Sequence, residues 1–369
     1  MVVKSVLILT AGFGEGHNAA ARNLAEALRN LQPDVRVEVH DVFLEAYGWV
    51  DRLVQKMYIA VINHAPFLWS LAFGVLDRTS VVGDGVVVFG RAVRLLRQML
   101  QEFQPDVVVS TYPGNGYLLD NICKSAVRRP FRTVTVVTDS LTINTVWHKC
   151  HSDFFLVPNE DTAEVMRRAG VPSEKVLTTG FPVPMVFAEP APVRGAPPAD
   201  GRWRVLYMVN SSHHLAPGIV RALLALEDVA LTVTVGRADA LGRRLQSLAS
   251  ELGREIEIYG WTPEIPHLIR QSHLLISKAG GATVQEALAA RTPMIVTQVI
   301  PGQEEGNARL LIESGAGELA ANPEAIAAAV ARTFAGKADL YLQRFDATGP
   351  LSHPDASSAA ARFVLSGLD

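Results

Sequence analysis

Cysteine is scarce in this chain. Cys123 and Cys150 are the only two in 369 residues, and they stand at no metal-ligand spacing. That excludes a disulfide framework and fits a reducing, cytoplasmic compartment. Long apolar runs are missing too. None reaches about 18 residues without a charge, so no segment is expected to cross a bilayer. The first apolar stretch, Ser5 to Thr10, is short and ends at a glycine cluster; it reads as a buried strand, not as a signal peptide. Charge of one sign is lacking as well. With 34 Lys and Arg against 37 Asp and Glu the net charge is -3, which offers no global field for nucleic acid. No short period repeats along the chain, so a solenoid is excluded. What remains is apolar. Hydrophobic residues make up 49% and charged residues 19%, enough for large buried cores. At about 150 residues per domain the length points to two domains.

The pattern of the first half is strand, glycine-rich loop, helix, strand. A strand at Val3 to Thr10 leads through Gly12-Phe-Gly-Glu-Gly16 into a helix with Ala20, Leu24, Ala27, Leu28 and Leu31 on one stripe. Val35 to Val39 alternates as a second strand, and this order implies a right-handed crossover and a parallel sheet. Further strands are expected at 107–110, 133–138 and 154–157, and a helix at 160–169. Prolines then crowd residues 183–202, which read as a linker. The alternation restarts at Arg204 and continues to about Thr333, a second doubly wound α/β domain. The domains predicted are 1–182 and 203–339, with the tail 340–369 returning to the first through a capped helix that begins at Asp355.

Two features of the first half admit two readings each. Residues 43–89 are apolar and aromatic, carrying Tyr47, Trp49, Tyr58, Phe67, Trp69 and Phe73. They read either as a helical excursion packed on the sheet or as a membrane-facing, acceptor-binding surface. The basic groups Arg91, Arg94 and Arg97, and Lys124, Arg128, Arg129 and Arg132, read either as solvated faces or as contacts for anionic lipid.

Three loops carry residues suited to chemistry. His17 follows the first glycine turn, at the end of a strand where α/β sheets deliver ligand-binding groups. An imidazole there can take a proton from an attacking hydroxyl, or it can merely cap the helix. Asp139, also just after a strand, can orient that imidazole or act as the base itself. In the second half, Lys278-Ala-Gly-Gly-Ala-Thr-Val-Gln-Glu286 follows a strand and opens a helix. Gly280 and Gly281 let a diphosphate approach, the helix N-terminus favours its charge, Thr283 offers a hydroxyl, and Glu286 can accept from ribose hydroxyls. A second loop, Pro301-Gly-Gln-Glu-Glu-Gly-Asn307, sets Gln303, Glu304 and Glu305 beside it, as a sugar's hydroxyls require. His213 and His214 have no carboxylate at metal-ligand spacing, so no metal is expected.

The pairing of these two loops resembles the donor domain of monogalactosyldiacylglycerol synthases and of bacterial processive diacylglycerol glucosyltransferases. Gly14-Glu-Gly-His-Asn18, Thr138-Asp139, Asp153, Glu160 and Thr179-Gly-Phe-Pro-Val183 are similar to the same family, over roughly residues 4 to 320. The resemblance implies a GT-B fold, two Rossmann-like domains facing a cleft, and an inverting transfer of a hexose from a UDP-sugar to a lipid hydroxyl. Diacylglycerol or a glycosyl-diacylglycerol would be the acceptor, and no cofactor would be required. It assigns the acceptor to the first domain and the UDP-sugar to the second. Gly260 and Trp261 would flank the uracil; Gly280, Gly281, Ala282 and Thr283 the diphosphate; Glu286 the ribose; Gln303 and Glu304 the donor sugar. His17 and Asp139 would be catalytic, with Gly14, Gly16, Asn144 and Trp147 on the acceptor side. The implied setting is the cytoplasmic face of a membrane, held peripherally. The sequence departs from the family pattern twice: Asn144 stands where a histidine often precedes the tryptophan, and Val209-Asn-Ser-Ser-His-His-Leu215 replaces a glycine-rich loop. Three alternatives stay open: a glycosyltransferase of a soluble or non-glycerolipid acceptor, a UDP-sugar 2-epimerase, which shares the architecture, and a sugar-nucleotide or lipid-binding module with decayed catalysis.

Overall fold

The computed structural model describes residues 3–12, 14–51, 53–54, 89–123, 129–190, 200–210, 212–300 and 304–366. These form two compact units. The first comprises Met1–Met185, Ile300–Gly306 and Asp355–Asp369; the second comprises Val186–Val299 and Asn307–Pro354.

In the first unit the chain runs β1 (Ser5–Thr10), α1 (Glu15–Leu31), β2 (Arg36–Asp41), α2 (Val42–Tyr47), α3 (Gly90–Phe103), β3 (Val107–Ser110), α4 (Pro113–Cys123), β4 (Arg132–Val136), β5 (Phe154–Val157), α5 (Glu160–Arg168) and β6 (Val176–Thr178). All six strands are parallel, in the order β2-β1-β3-β4-β5-β6. β1 and β3 are buried along their whole length, which explains why they read as unbroken apolar runs rather than alternations. The predicted stripe on α1 is buried at Ala20, Leu24, Ala27 and Leu28, while Leu31, the last helical residue, is exposed.

The second unit runs β7 (Trp203–Met208), α6 (Ala216–Leu224), β8 (Val229–Gly236), α7 (Asp239–Glu251), β9 (Glu257–Gly260), α8 (Ile265–Gln271), β10 (Leu274–Ser277), α9 (Gly281–Ala289), β11 (Met294–Val296), α10 (Glu305–Glu313), β12 (Gly317–Leu319), α11 (Pro323–Phe334) and α12 (Asp339–Thr348). Its parallel sheet has the order β12-β11-β10-β7-β8-β9. One end of the core is aromatic: Trp203 stacks on Phe334 at 4.5 Å, with Tyr341 of α12 at 5.1 Å. Glu318 holds Arg344 of the same helix at 2.8 Å.

The tail therefore divides later than the sequence suggests. α12 is anchored in the second unit by Tyr341 and Arg344, and the return to the first begins at Asp355, not at residue 340. There α13 (Ala356–Leu365) lies on α1 and buries Ala360, Ala361 and Val364 in the core of the first sheet. Asp355 stands at its N-cap position without a capping bond and pairs instead with Arg362 at 3.2 Å. Arg132 closes the other end, donating to the carbonyls of Phe363 and Ser366, where a cation meets the negative end of the helix. Deleting residues 355–369 should destabilise the first unit. Val364 alone, wholly buried, accounts for about 2 kcal/mol. Urea unfolding checks this, and an unchanged midpoint would contradict it.

Candidate functional site

Both sheets change direction of winding at an identifiable gap, and in α/β proteins such gaps bind ligands at the carboxyl ends of the strands. In the first sheet the gap lies between β1 and β3. In the second it lies between β7 and β10. The sequence-predicted residues fall at both.

At the first gap, Gly14 precedes α1 with φ 139 and ψ 145, a conformation open essentially to glycine alone. It turns the chain so that Gly16 and His17 lie in the first turn of α1. His17 does not serve as a cap. Its Nδ1 lies 2.8 Å from the carbonyl of Thr111, just after β3, and 2.9 Å from Oγ1 of Thr138, just after β4. A carbonyl only accepts, so Nδ1 carries the hydrogen and donates it. In the neutral ring the basic lone pair is then on Nε2. Burial pushes the imidazole's pKa below its ordinary value; the charge of Asp139 and the Thr111 carbonyl pull in the other direction without cancelling it. Burial likewise raises the Asp139 carboxyl, against the opposing pull of His17 and of the Trp147 N–H. Neighbouring groups with opposed environments are the arrangement that proton transfer uses.

Thr111 and Tyr112 belong to this site and escaped the sequence reading. The Tyr112 ring meets His17 edge-on at 5.2 Å, and burial, aided by Asp51 and Asp41, pushes its phenol up to about 12. Gly114 makes room for that ring, since a Cβ there would lie 2.7 Å from it. The available signal was a small-residue loop, Ser110-Thr-Tyr-Pro-Gly114, after a strand. Asn144 and Trp147 have partners of their own. Asn144 is buried, and its Oδ1 accepts from the Val146 N–H at 3.0 Å. Trp147 is 1% exposed, and its Nε1 donates to Asp139 Oδ2 at 2.7 Å. Other motif residues of this half hold structure. Asp153 accepts from both N–H and hydroxyl of Thr133, joining β4 to β5, and Glu160 pairs with Arg167 and Thr178.

At the second gap, Gly280 is the N-cap of α9, with no side chain capping it. The first bond of the helix runs from Val284 N to Gly280 O at 2.9 Å, so the N–H groups of Gly281, Ala282 and Thr283 have no acceptor within the helix. Their dipoles suit an anion such as a diphosphate. Ala282, Thr283 and Glu286 are partly exposed, while Val284, Gln285, Ala287 and Leu288 are buried. The spacing i, i+3, i+4 puts Glu286 on the face of α9 that Ala282 and Thr283 open. The loop is tied on both sides. Asn210 Nδ2 donates to Ser277 Oγ at 3.0 Å, Ser212 to Gln298 at 3.2 Å, and Asn307 to the Ala279 carbonyl at 3.2 Å. These bonds give the glycine-poor 209–215 loop a positive role in bracing the neighbouring one. Gly260 ends β9 and Trp261 follows it, three strands from β10, or about 14 Å at the usual spacing. Trp261 is 71% exposed, a face available for stacking. Glu304 is buried, its Oε2 accepting from Ile300 N at 3.1 Å. Gln303 lies outside the described residues. Among the described residues no group of three or more His, Cys, Asp or Glu is placed to hold a metal ion.

Two parallel six-stranded sheets with flanking helices, each with a ligand-type loop at its gap, are the architecture of the GT-B fold. The chain resembles the monogalactosyldiacylglycerol synthases and the diacylglycerol glucosyltransferases, and it is a hexosyltransferase. Residues 17–183 match the model of the monogalactosyldiacylglycerol (MGDG) synthases, and residues 211–335 that of the glycosyl transferases group 1. The chain is similar to the processive diacylglycerol beta-glucosyltransferase of Bacillus subtilis (strain 168), 26% identical over 347 residues, 92% of this chain and 89% of that protein. It is also 25% identical to the enzyme of that name from Bacillus cereus (strain G9842), over 84% of this chain and 80% of that one. Among solved structures, MurG of Acinetobacter baumannii matches with TM-score 0.62 and 15% identity over 98% of this chain and 99% of that one. A UDP-GlcNAc 2-epimerase from Neisseria meningitidis, bound to UDP-GlcNAc, matches with TM-score 0.61 and 12% identity, covering 98% and 99%. At these identities the two structures show the fold alone.

Proposed function

We propose that the protein moves a hexose from a UDP-sugar to the free hydroxyl of diacylglycerol or of a glycosyl-diacylglycerol, with inversion at the anomeric carbon. The observation that carries this reading is His17, held neutral by burial with its hydrogen committed to the Thr111 carbonyl. Such a ring accepts a proton at Nε2. In the reaction the acceptor oxygen forms its bond to the anomeric carbon as its proton passes to Nε2. The bond from that carbon to the β-phosphate oxygen breaks, and its electron pair leaves with UDP. The departing charge falls to the unshared N–H groups of Gly281, Ala282 and Thr283, an oxyanion-type stabilisation that residues of the chain supply by themselves. Glu286 holds the ribose, Gly260 and Trp261 the uracil, and Gln303 and Glu304 the sugar. Gly14 and Gly16 shape the acceptor loop. The glycerolipid class rests on the family match of residues 17–183 and on the names of the relatives.

The test is turnover of radiolabelled UDP-glucose and UDP-galactose with diacylglycerol in vesicles, reading the anomer formed. A β-glycolipid from an α-donor supports the proposal. Release of UDP with a 2-epimerised sugar, or binding without turnover, would replace it by one of the two rival classes.

The same reading places the enzyme at a membrane surface. No helix among the described residues is long and apolar enough to cross one. The residues just after α2 and at the start of α3 nevertheless expose apolar side chains. Trp49 is 74% exposed, with Val50, Leu53, Val54 and Phe89 also exposed, and Phe89 packs on Phe43 of α2 at 5.6 Å. Arg91, Arg94 and Arg97 follow on the exposed side of α3. Most of the aromatic segment, residues 55–88, and residues 124–128 lie outside the described residues. Of the second basic cluster, Arg129 pairs with Asp120 at 2.6 Å and Arg132 is spent on the end of α13. The lipid contact is therefore assigned to the first cluster. Vesicles containing anionic lipid should carry the protein on flotation, and high salt should release it. Replacing all three of these arginines by glutamine should abolish flotation. Flotation that persists in the triple variant would move the docking face elsewhere.

A further inference from the structure

The sequence departs from its family beside Trp147, and the structure shows what the segment does. Asn144 Oδ1 accepts from Val146 N at 3.0 Å and its carbonyl accepts from Trp147 N at 3.1 Å, closing one tight turn. The turn delivers the Trp147 side chain into a buried nest of Val137, Phe155, Val157, Ala163 and Met166. An indole in such a place needs a partner for its N–H, and here the partner is a carboxylate, Oδ2 of Asp139. The Trp147 ring also lies 6.0 Å from that of His17.

We propose that Trp147 is a positioning residue of the transfer reaction: its N–H fixes the Asp139 carboxylate beside His17, and Asn144 sets the turn that aims it. The inference rests on the reading of His17 as proton acceptor. When the imidazole takes the acceptor's proton it becomes a buried cation, and the fixed carboxylate offsets that charge. A donated N–H also favours the ionised carboxylate where burial works against it. The surrounding groups do not compete. Tyr112, edge-on to His17, and Cys150, whose Sγ lies 3.7 Å from the Trp147 carbonyl, are both pushed up to about 12 by burial and stay neutral. Asp41 and Asp51 act on the phenol of Tyr112, and Asp120 is paired with Arg129.

The experiment compares kcat/KM against pH for UDP-hexose and diacylglycerol in wild type and Trp147→Phe. A benzothienyl analogue of tryptophan at position 147 is the second variant; it keeps the ring system and replaces N–H by sulfur. Without the N–H the carboxylate binds a proton more readily, so the acidic limb of the His17–Asp139 pair should move up by about one pH unit. Turnover at neutral pH should fall about tenfold while UDP affinity holds. In an Asp139→Asn background the same replacement should add no further loss. A uniform fall at every pH with the limb unmoved, or a full additional loss in the Asp139→Asn background, would reduce Trp147 to packing. Failure of the underlying reading looks different: His17→Ala then keeps its turnover whatever Trp147 does.

Discussion

His17→Ala should lower turnover by about 10²–10⁴-fold, the usual contribution of a general base, while leaving UDP affinity nearly unchanged. The second half of this expectation is the sharper one. His17 belongs to the first unit, whereas the groups assigned to the nucleotide begin at β9 of the second. The wild-type pH profile supplies an independent check with a definite sign. Burial holds the imidazole's pKa below its ordinary 6.5, so the basic neutral form persists through neutral pH. kcat/KM should therefore be flat there and fall only on the acid side of the usual histidine range. A limb above that range would contradict the assignment. If His17→Ala keeps near-normal turnover, Asp139 becomes the preferred base. If it abolishes UDP binding too, the division of donor and acceptor between the two units is wrong.

Glu286→Ala is expected to weaken UDP binding by about 1–3 kcal/mol, roughly 5- to 150-fold, with little effect on folding. Glu286 stands on the partly exposed face of α9 with Ala282 and Thr283, away from the buried Val284 and Leu288. A carboxylate on that face would accept from both ribose hydroxyls under the proposed function, and alanine, a better helix former, leaves α9 intact. Calorimetric titration with UDP checks it. An unchanged dissociation constant would remove Glu286 from the nucleotide site, and a large fall in melting temperature would give it a structural role instead.

Much of the fold was legible because doubly wound proteins punctuate themselves. Buried parallel strands are short apolar runs, and the helices between them carry stripes. Both signals are strong at β1, α1, β3, β7 and β10. Elements without them were missed. β6 and β12 have three residues each, too few to show any period. α4 opens Pro113-Gly-Asn-Gly116, which reads as a turn. Its glycines serve packing instead: a Cβ on Gly116 would meet Cys150 Sγ at 2.5 Å. α12 looked like part of the returning tail because nothing local distinguishes a helix held by Tyr341 in one unit from one crossing to the other.

The two candidate sites differ in the same way. The sequence by itself determined the geometry of the loop proposed to hold the donor, because strand, glycine pair, helix start and Glu286 are contiguous, and local geometry alone aims three N–H groups at one point. The surroundings of His17 were decided only by the tertiary structure. A histidine after a glycine turn can cap a helix or take a proton, and the choice depends on what its Nδ1 meets. That partner is the carbonyl of Thr111, 94 residues away, brought alongside by the parallel pairing of β1 with β3. The carboxylate that acts on His17 arrives with β4, and the indole that holds the carboxylate comes from a turn beyond it. Parallel crossovers place residues distant in sequence at one end of a sheet, and no local pattern records which of them will touch.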